Sequence, residues 1–279
     1  MKPIFALILF CVIISCKDNS PLNGHDFVNI PGGEYTLGGK GNHSNPLHKS
    51  TIKSFEMATT ETTNTEFKRF VDATGYVTDA EKAGFAKTFQ EGDPDWEWRL
   101  TNGACWKYPF GPENGGIENK MNYPVTQISC ADAKAYCKWL GVRLPTKDEW
   151  EVAARGGMDT KYPWGDSLYP DGKAMCNIWQ GTHSKNELKD GFMYTAPVKS
   201  FPPNKYGLYD VIGNVFEYCN EEIIDTLGTD TLRYSTGRGG SWWCSENTCN
   251  SFNLVQTGRM PFHESICNQG FRVARDIKE

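Results

Sequence analysis

The sequence predicts an α+β domain with little regular secondary structure and long ordered connections. Capped amphipathic segments mark helices, short apolar-rich runs mark strands, and the stretches between them carry Trp, Gly and Pro without any period. Aromatic residues make up 13% of the chain and hydrophobic residues 39%, which is enough for a sizeable core and too much for global disorder.

In chain order, residues 1–15 are expected to be a lipoprotein signal peptide. Lys2 supplies a positive start, and residues 4–14 form an apolar run too short to cross a bilayer. The run ends in Ile13-Ile14-Ser15-Cys16, which resembles a bacterial lipobox. That resemblance implies cleavage before Cys16 and a diacylglyceryl anchor on its thiol. An ordinary signal peptide with an incidental cysteine is the alternative, and the small residue directly before Cys16 favours the lipoprotein. Residues 16–25 then form the lipidated start and a polar tether, and residues 26–279 the domain. No later apolar stretch is long enough for a membrane helix. The expected location is the cell envelope, periplasmic side or outer surface, with contact to the membrane through the anchor only.

Strands are predicted at 27–30, 35–37, 54–58 and 270–274 from short runs of β-forming residues. Thr63-Asn64-Thr65-Glu66 is a capping box, followed by Phe67, Phe70 and Val71 on one face and Gly75 as the stop. Ser129 with Asp132 starts a second helix, with Ala133, Tyr136, Cys137 and Leu140 inward and Gly141 at its end. Thr146-Lys147-Asp148-Glu149 caps a third, with Trp150, Ala153 and Ala154 on its apolar face before Gly156-Gly157. Residues 84–122 and much of 156–210 are aperiodic, and loops of that length in a compact domain usually build a site.

A net charge of −5 with no clustered basic face gives no reason to expect a nucleic-acid partner. The five histidines, His25, His43, His48, His183 and His263, show no iron-triad or zincin spacing, and surface positions are expected for them. There is no G-x-S-x-G, no P-loop and no dinucleotide fingerprint; "GGKGNH" at 38–43 is expected to be a turn.

Apart from Cys11 and Cys16, the cysteines are 105, 130, 137, 176, 219, 244, 249 and 267. Outside the cytoplasm an even number suggests disulfides, although a domain of this size does not need them to fold. No C-x-x-C pair occurs, so structural zinc is not expected. Three explanations compete for Cys244 and Cys249 in "GGSWWCSENTC": a local disulfide, an inert core thiol beside a surface one, or a soft-metal site, for which two thiolates suit monovalent copper. On the residues alone the disulfide leads. Two other stretches are rich in oxygen donors. Asp210 and Glu217 flank Gly213-Asn214, and Asn177 lies in "NIWQG" with Asp190 in "KDGF". Either could hold a hard cation such as calcium, and either could be a turn that satisfies its own backbone; composition favours the turn.

These motifs occur in a familiar order. "FVNIPGGEYTLGG", "ETTNTEFKRFVDATGYVTDAEKAG", "YPVTQISCADAKAYCKWLGVRLPTKDEWEVAARGG", "YPWGD", "NIWQG", "DGFMYTAPVKSFPPNKYGLYDVIGNVFEY", "RGGSW" and "GFRVARD" together resemble the formylglycine-generating enzyme (sulfatase-modifying factor) family over nearly the whole domain. The resemblance implies its C-type-lectin-like fold. Family oxidases carry G-G-S-W/Y-x-C-x-x-x-x-C, and here Cys244 lies three after Ser241 with Cys249 five further on. By resemblance Cys244 and Cys249 hold Cu(I), and Ser241 orients the incoming groups. The substrate would be a cysteine in an unfolded peptide, such as an exported sulfatase, oxidised by dioxygen to Cα-formylglycine. The same resemblance implies two structural calcium sites, one of Asn177, Ile178, Asp190 and Phe192, the other of Asp210, Gly213, Val215 and Glu217.

The chain departs from the family pattern at three places. An arginine-rich run usually follows the second cysteine, whereas "NSFNLVQTGRM" has only Arg259; Phe216 replaces a Trp; Cys105 replaces an Asn in "CWKYPFGP". An oxidase of the same fold with another substrate is one alternative. Relatives that use non-haem iron would need histidine ligands, which this chain does not signal. A non-catalytic envelope lipoprotein with Cys244–Cys249 as a plain disulfide is the remaining one.

Overall fold

A computed structural model describes residues 24–94, 97–182, 185–227, 230–247 and 249–277. The expected signal peptide, Cys16 and most of the expected tether lie outside the described residues, as does His183. The elements run β1 (Phe27–Ile30), β2 (Gly33–Leu37), β3 (His48–Ile52), β4 (Phe55–Ala58), α1 (Asn64–Thr74), α2 (Asp79–Ala83), β5 (Phe85–Thr88), β6 (Arg99–Asn102), α3 (Cys130–Leu140) and α4 (Lys147–Arg155). There follow β7 (Gly181–Thr182), β8 (Lys185–Asn186), β9 (Phe216–Leu227), β10 (Asp230–Arg238), β11 (Gly258–Pro261), β12 (Gln269–Gly270) and β13 (Ala274–Asp276). No helix among the described residues is long and apolar enough to cross a membrane.

The predicted helices start where their caps place them. Thr63, Ser129 and Thr146 each accept the backbone N–H three residues on, and Glu66, Asp132 and Glu149 return the bond. Gly75, Gly141 and Gly156 end them in the left-handed conformation. Helix α2, inside a region the sequence left largely unassigned, uses the same device: Thr78 and Glu81 form its capping box.

The sheets are small. A three-stranded sheet has the order β1-β4-β13, and a four-stranded one the order β11-β10-β9-β12, in which β9 and β10 form a long antiparallel hairpin. The strand predicted at 270–274 divides between them. Gln269 and Gly270 pair in parallel with β9, whereas Ala274 pairs with Met57 of β4. Between them Phe271 and Val273 are buried in the core, and their carbonyls accept the N–H groups of Thr62 and Ala58. A segment buried on both sides satisfies its backbone against a loop as well as against a sheet.

Two histidines depart from the surface reading. The His25 side chain is 1% exposed, with Nε2 2.7 Å from the Tyr136 hydroxyl and Nδ1 3.2 Å from Glu66. His48 is partly buried against Asp148. The remaining thiols also depart from the disulfide expectation: Cys105, Cys130, Cys137, Cys176, Cys219 and Cys267 are buried and unpaired. The core supplies the cohesion that staples give smaller domains.

Candidate active site

Strand β10 leaves its sheet through Gly239 and Gly240, both left-handed, with φ of 86° and 76°. A Cβ on Gly240 would lie 2.7 Å from the Phe252 backbone, so only glycine permits this turn. The turn buries Ser241 and Trp242, and the Trp242 N–H donates to the Asn214 carbonyl at 2.9 Å. Cys244 follows, its N–H on the Ser241 carbonyl and its own carbonyl accepting from Trp179 N–H, both at 2.9 Å. These bonds tie the cysteine loop to both oxygen-rich loops.

Cys244 and Cys249 are joined as a disulfide, with Cα atoms 5.3 Å apart. Cys244 is fully buried and Cys249 partly so. The Ser241 hydroxyl lies 3.8 Å from Cys244 Sγ. The sequence-predicted trio therefore meets at one place. Asn268, which sequence reasoning missed, donates from Nδ2 to Ser241 Oγ at 2.9 Å. Its only signal was its place just before "GFRVARD". Reduced, the pair would present two sulfur donors, one buried and one reachable, a soft set that fits monovalent copper and leaves room for a further ligand.

The floor of the site is aromatic. Trp179, Trp242, Trp243, Phe89 and Cys267 form one buried cluster, with Cys249 packed on it. Trp98 stands over Trp243 at 5.2 Å between ring centroids, and Tyr194 meets Trp242 edge-on at 5.0 Å. A pocket of about 170 Å³ opens beside the residues after Cys244, lined by Ile178, Trp179, Gln180, Lys189, Ser245 and Asn247, among others. A larger groove of about 990 Å³ near Arg143, Asp148 and Glu221 contains none of the candidate residues.

The departures from the family pattern have structural roles. The Phe252 and Leu254 side chains of "NSFNLVQ" are buried, and Arg238, itself buried and paired with Glu151, donates to the Leu254 and Val255 carbonyls. The segment that replaces the arginine run is thus part of the core. Arg259 is close to the pair in sequence only: it lies on β11, paired with Asp225 and stacked on Tyr234. Cys105 packs with Ala80, Ala86 and Ala104, and Phe216 packs between the two large core clusters.

The oxygen-rich stretches lie against each other. Gly213 has φ 80°, and a Cβ there would fall 2.2 Å from the Asn177 carbonyl oxygen. That oxygen accepts Asn214 N–H at 2.8 Å, and Asn177 Nδ2 donates to Asn214 Oδ1 at 3.1 Å. Asp190 accepts the N–H groups of Ile178 and Phe192 at 3.0 and 2.9 Å, and burial raises its carboxyl to about 6 against these bonds. Asn177, Ile178, Asp190 and Phe192 are therefore together. Asp210, Gly213 and Val215 lie on the loop entering β9, and Glu217 is the second residue of that strand. The two acids differ, however. Glu217 is engaged by Arg272 at 2.6 and 2.7 Å and by Trp150 Nε1 at 2.6 Å. Asp210 accepts Lys199 N–H through Oδ2 at 2.7 Å, while its buried Oδ1 has no partner, and burial raises its carboxyl to about 6. An orphaned carboxylate oxygen in a turn of backbone carbonyls fits a hard cation. Asp190, whose two oxygens are already met by N–H donors, gives no such sign.

Residues 15–277 match the family model described as "Sulfatase-modifying factor enzyme 1-like domain". The chain is 38% identical over 282 residues to the formylglycine-generating enzyme of Thermomonospora curvata, covering 89% of this chain and 93% of that one. It is equally, at 38%, identical to the "Inactive C-alpha-formylglycine-generating enzyme 2" of Bos taurus, over 89% of this chain and 87% of the other. Overall identity does not choose between an active and an inactive relative, so the site residues must. Among solved structures PvdO from Pseudomonas aeruginosa has the same fold, with a TM-score of 0.63 at 23% identity over 90% of this chain and 94% of that one.

Proposed function

The chain belongs to the sulfatase-modifying factor family, and from that premise we propose that it oxidises a peptidyl cysteine to Cα-formylglycine. The observation that carries this reading is the meeting of Cys244, Cys249 and Ser241 at the turn after Gly239-Gly240. Reduction of the disulfide by two electrons and two protons frees the sulfurs to hold Cu(I). Copper so held supplies a soft site for the substrate thiolate and for dioxygen. The chain's own residues do the positioning. The buried sulfur of Cys244 is fixed by the backbone bonds on either side of it, and the half-buried Cys249 faces the incoming peptide. Ser241 directs its hydroxyl at Cys244, and the aromatic floor keeps water from the reacting atoms.

The electron count sets a further requirement. Loss of two hydrogens from the substrate CH2–SH gives a thioaldehyde, and water converts it to the aldehyde and hydrogen sulfide. That step yields two electrons, whereas dioxygen accepts four on the way to water. Full reduction to water draws the other two from an external dithiol, which leaves as a disulfide.

The substrate is a cysteine in an unfolded peptide, and an exported sulfatase is the natural source. The chain acts outside the cytoplasm, anchored through Cys16, and carries structural calcium at its oxygen-rich loops. A second reading, an envelope scaffold with a permanent disulfide, draws on the oxidised state of the pair and on the inactive relative of equal identity. The test incubates reduced, copper-loaded mature protein with oxygen, a dithiol and a C-x-P-x-R peptide, and reads aldehyde by mass spectrometry. Aldehyde that disappears in Cys244→Ser and Cys249→Ser supports the oxidase. Stoichiometric Cu(I) binding without product leaves an oxidase of another substrate, and no Cu(I) binding after reduction leaves the scaffold.

A further inference from the structure

Leu100, at 63%, is the most exposed large apolar side chain among the described residues, and Phe85 is 41% exposed. Both line one cavity of about 370 Å³, which plays no part in the chemistry above. Ala80, Ala83 and Ala86 complete its apolar lining. An apolar hollow left open to water is a place for a partner.

The cavity is continuous with the cysteine site. In the β5–β6 pair Lys87 lies opposite Leu100. Alternation along the strand places Phe85 and Lys87 on one face with Phe89, just past its end. Phe89 belongs to the aromatic floor. Its ring centroid is 5.8 Å from that of Trp243 and 5.9 Å from that of Trp98, which stands just before β6 on the same face as Leu100. Along the edge of β5, Lys87 N–H donates to Ser265 O at 3.1 Å and Cys267 N–H to Lys87 O at 3.2 Å. The segment that lines the cavity at Ser265 therefore reaches the floor at Cys267, and Asn268 after it holds Ser241. Phe85 and Phe89 are about 13 Å apart along the strand, a span that about four residues of extended peptide would cover.

The charges around the cavity select the side chain. Asp79 accepts from Ser129 Oγ at 2.8 Å and pairs with His263 at 3.0 Å and Lys82 at 3.3 Å. Glu264 is paired with Lys87, whose stem lies between Phe85 and Phe89. Each acid that lines the cavity already faces a basic side chain, so an arriving arginine would have to break a pair to be met. An apolar side chain only displaces water from Phe85 and Leu100.

We propose that this cavity receives a bulky apolar side chain, leucine or phenylalanine, about four residues from the target cysteine of the peptide substrate. The chain then prefers an apolar residue at about the distance where a C-x-P-x-R peptide carries its arginine. The inference rests on the peptide-oxidase reading above and narrows its substrate.

The test measures binding apart from oxidation. Labelled peptides with serine in place of the target cysteine carry leucine, phenylalanine or arginine at that distance, on one side or the other. Fluorescence anisotropy with the mature protein gives each Kd. On one side of the serine, leucine and phenylalanine should bind about 10-fold more tightly than arginine. Leu100→Ser should erase that preference, and Phe85→Asp should turn it toward arginine. Both positions are exposed, so the melting temperature should stay at the wild-type value. With cysteine in the peptide, the same preference should appear in KM and not in kcat. No binding, equal affinities, tighter binding of arginine, or a preference untouched by both substitutions overturns the inference, whatever the aldehyde assay shows. Selective binding without aldehyde upholds the cavity as a peptide site and removes the oxidase reading instead.

Discussion

The direction of the Ser241 hydroxyl follows from its neighbours. A disulfide sulfur or a thiolate has no hydrogen, so the O–H must donate toward Cys244 and its oxygen must accept from elsewhere. Asn268 Nδ2 at 2.9 Å, with Trp243 N–H at 3.4 Å, provides those donors. Loss of the Asn268 amide frees the hydroxyl to rotate away. Asn268→Leu should therefore lower the rate of aldehyde formation by roughly 10-fold at saturating peptide, the low end for a residue that orients a site group from behind. Combined with Ser241→Ala it should add nothing, because both act through the same hydroxyl. Initial rates over the full mutant cycle are the measurement, and independent, additive losses would sink the coupling. Gly213 makes a purely conformational prediction at the same scale. Alanine there meets the Asn177 carbonyl at 2.2 Å from a left-handed backbone, and should cost about 3 kcal/mol in denaturant titration.

Helix α1 shows how much one element's ends reveal. Its cap, its stop and its apolar face are all set by residues within a few positions of each other, so the sequence exposes them. The same holds for α3 and α4. The β9–β10 hairpin has no such capping signature, and its register also depends on distant partners such as Phe262, whose N–H donates to the Arg233 carbonyl. The cysteine trio was legible because it sits in one stretch of chain. The cavity beside Leu100 was not, since it joins α2, β5 and β6 to residues 263–265 and only folding brings them together. At the start of α1 the fold also builds an unadvertised acid–base pair. Burial lowers His25 to about 4 and raises Glu66 to about 7. Lowered histidine loses stability as pH falls from 6.5 to 4; raised glutamate loses it as pH rises from 4.5 to 7. The slopes oppose one another, because folding moves one proton from histidine to glutamate without changing the total. Wild-type stability should thus be nearly flat across this window. Glu66→Gln should leave the histidine slope alone, with a loss of up to about 3 kcal/mol toward pH 4, and His25→Phe should show the opposite slope. Urea midpoints at several pH values decide, and parallel profiles in all three proteins would contradict the pairing.

At the scale of the whole molecule, the cysteines among the described residues divide into one disulfide at the candidate site and six buried thiols. An even count outside the cytoplasm pointed toward several disulfides, but sequence has no access to the distances that decide pairing. In the fold, Cys130 and Cys137 share helix α3, Cys176 and Cys219 lie in one large cluster of buried side chains, and Cys267 and Cys105 lie in two others. Burial pushes Cys130 to about 11 and Cys267 to about 12, and drives Cys137, Cys176 and Cys219 up as well. A thiol that cannot ionise is neither a nucleophile nor a ready partner for exchange. Native protein treated with iodoacetamide at pH 8 should therefore carry no label at any cysteine of the domain. After mild reduction the label should appear at the half-buried Cys249 first and at the enclosed Cys244 more slowly. The other six should react only when denaturant unfolds the chain, and then together, since they belong to one cooperative core. Peptide mapping by mass spectrometry reads each position separately. Early native labelling of Cys105, Cys130 or Cys267 would show that the core opens, and that Cys244 and Cys249 are not the only sulfurs an incoming reagent can reach.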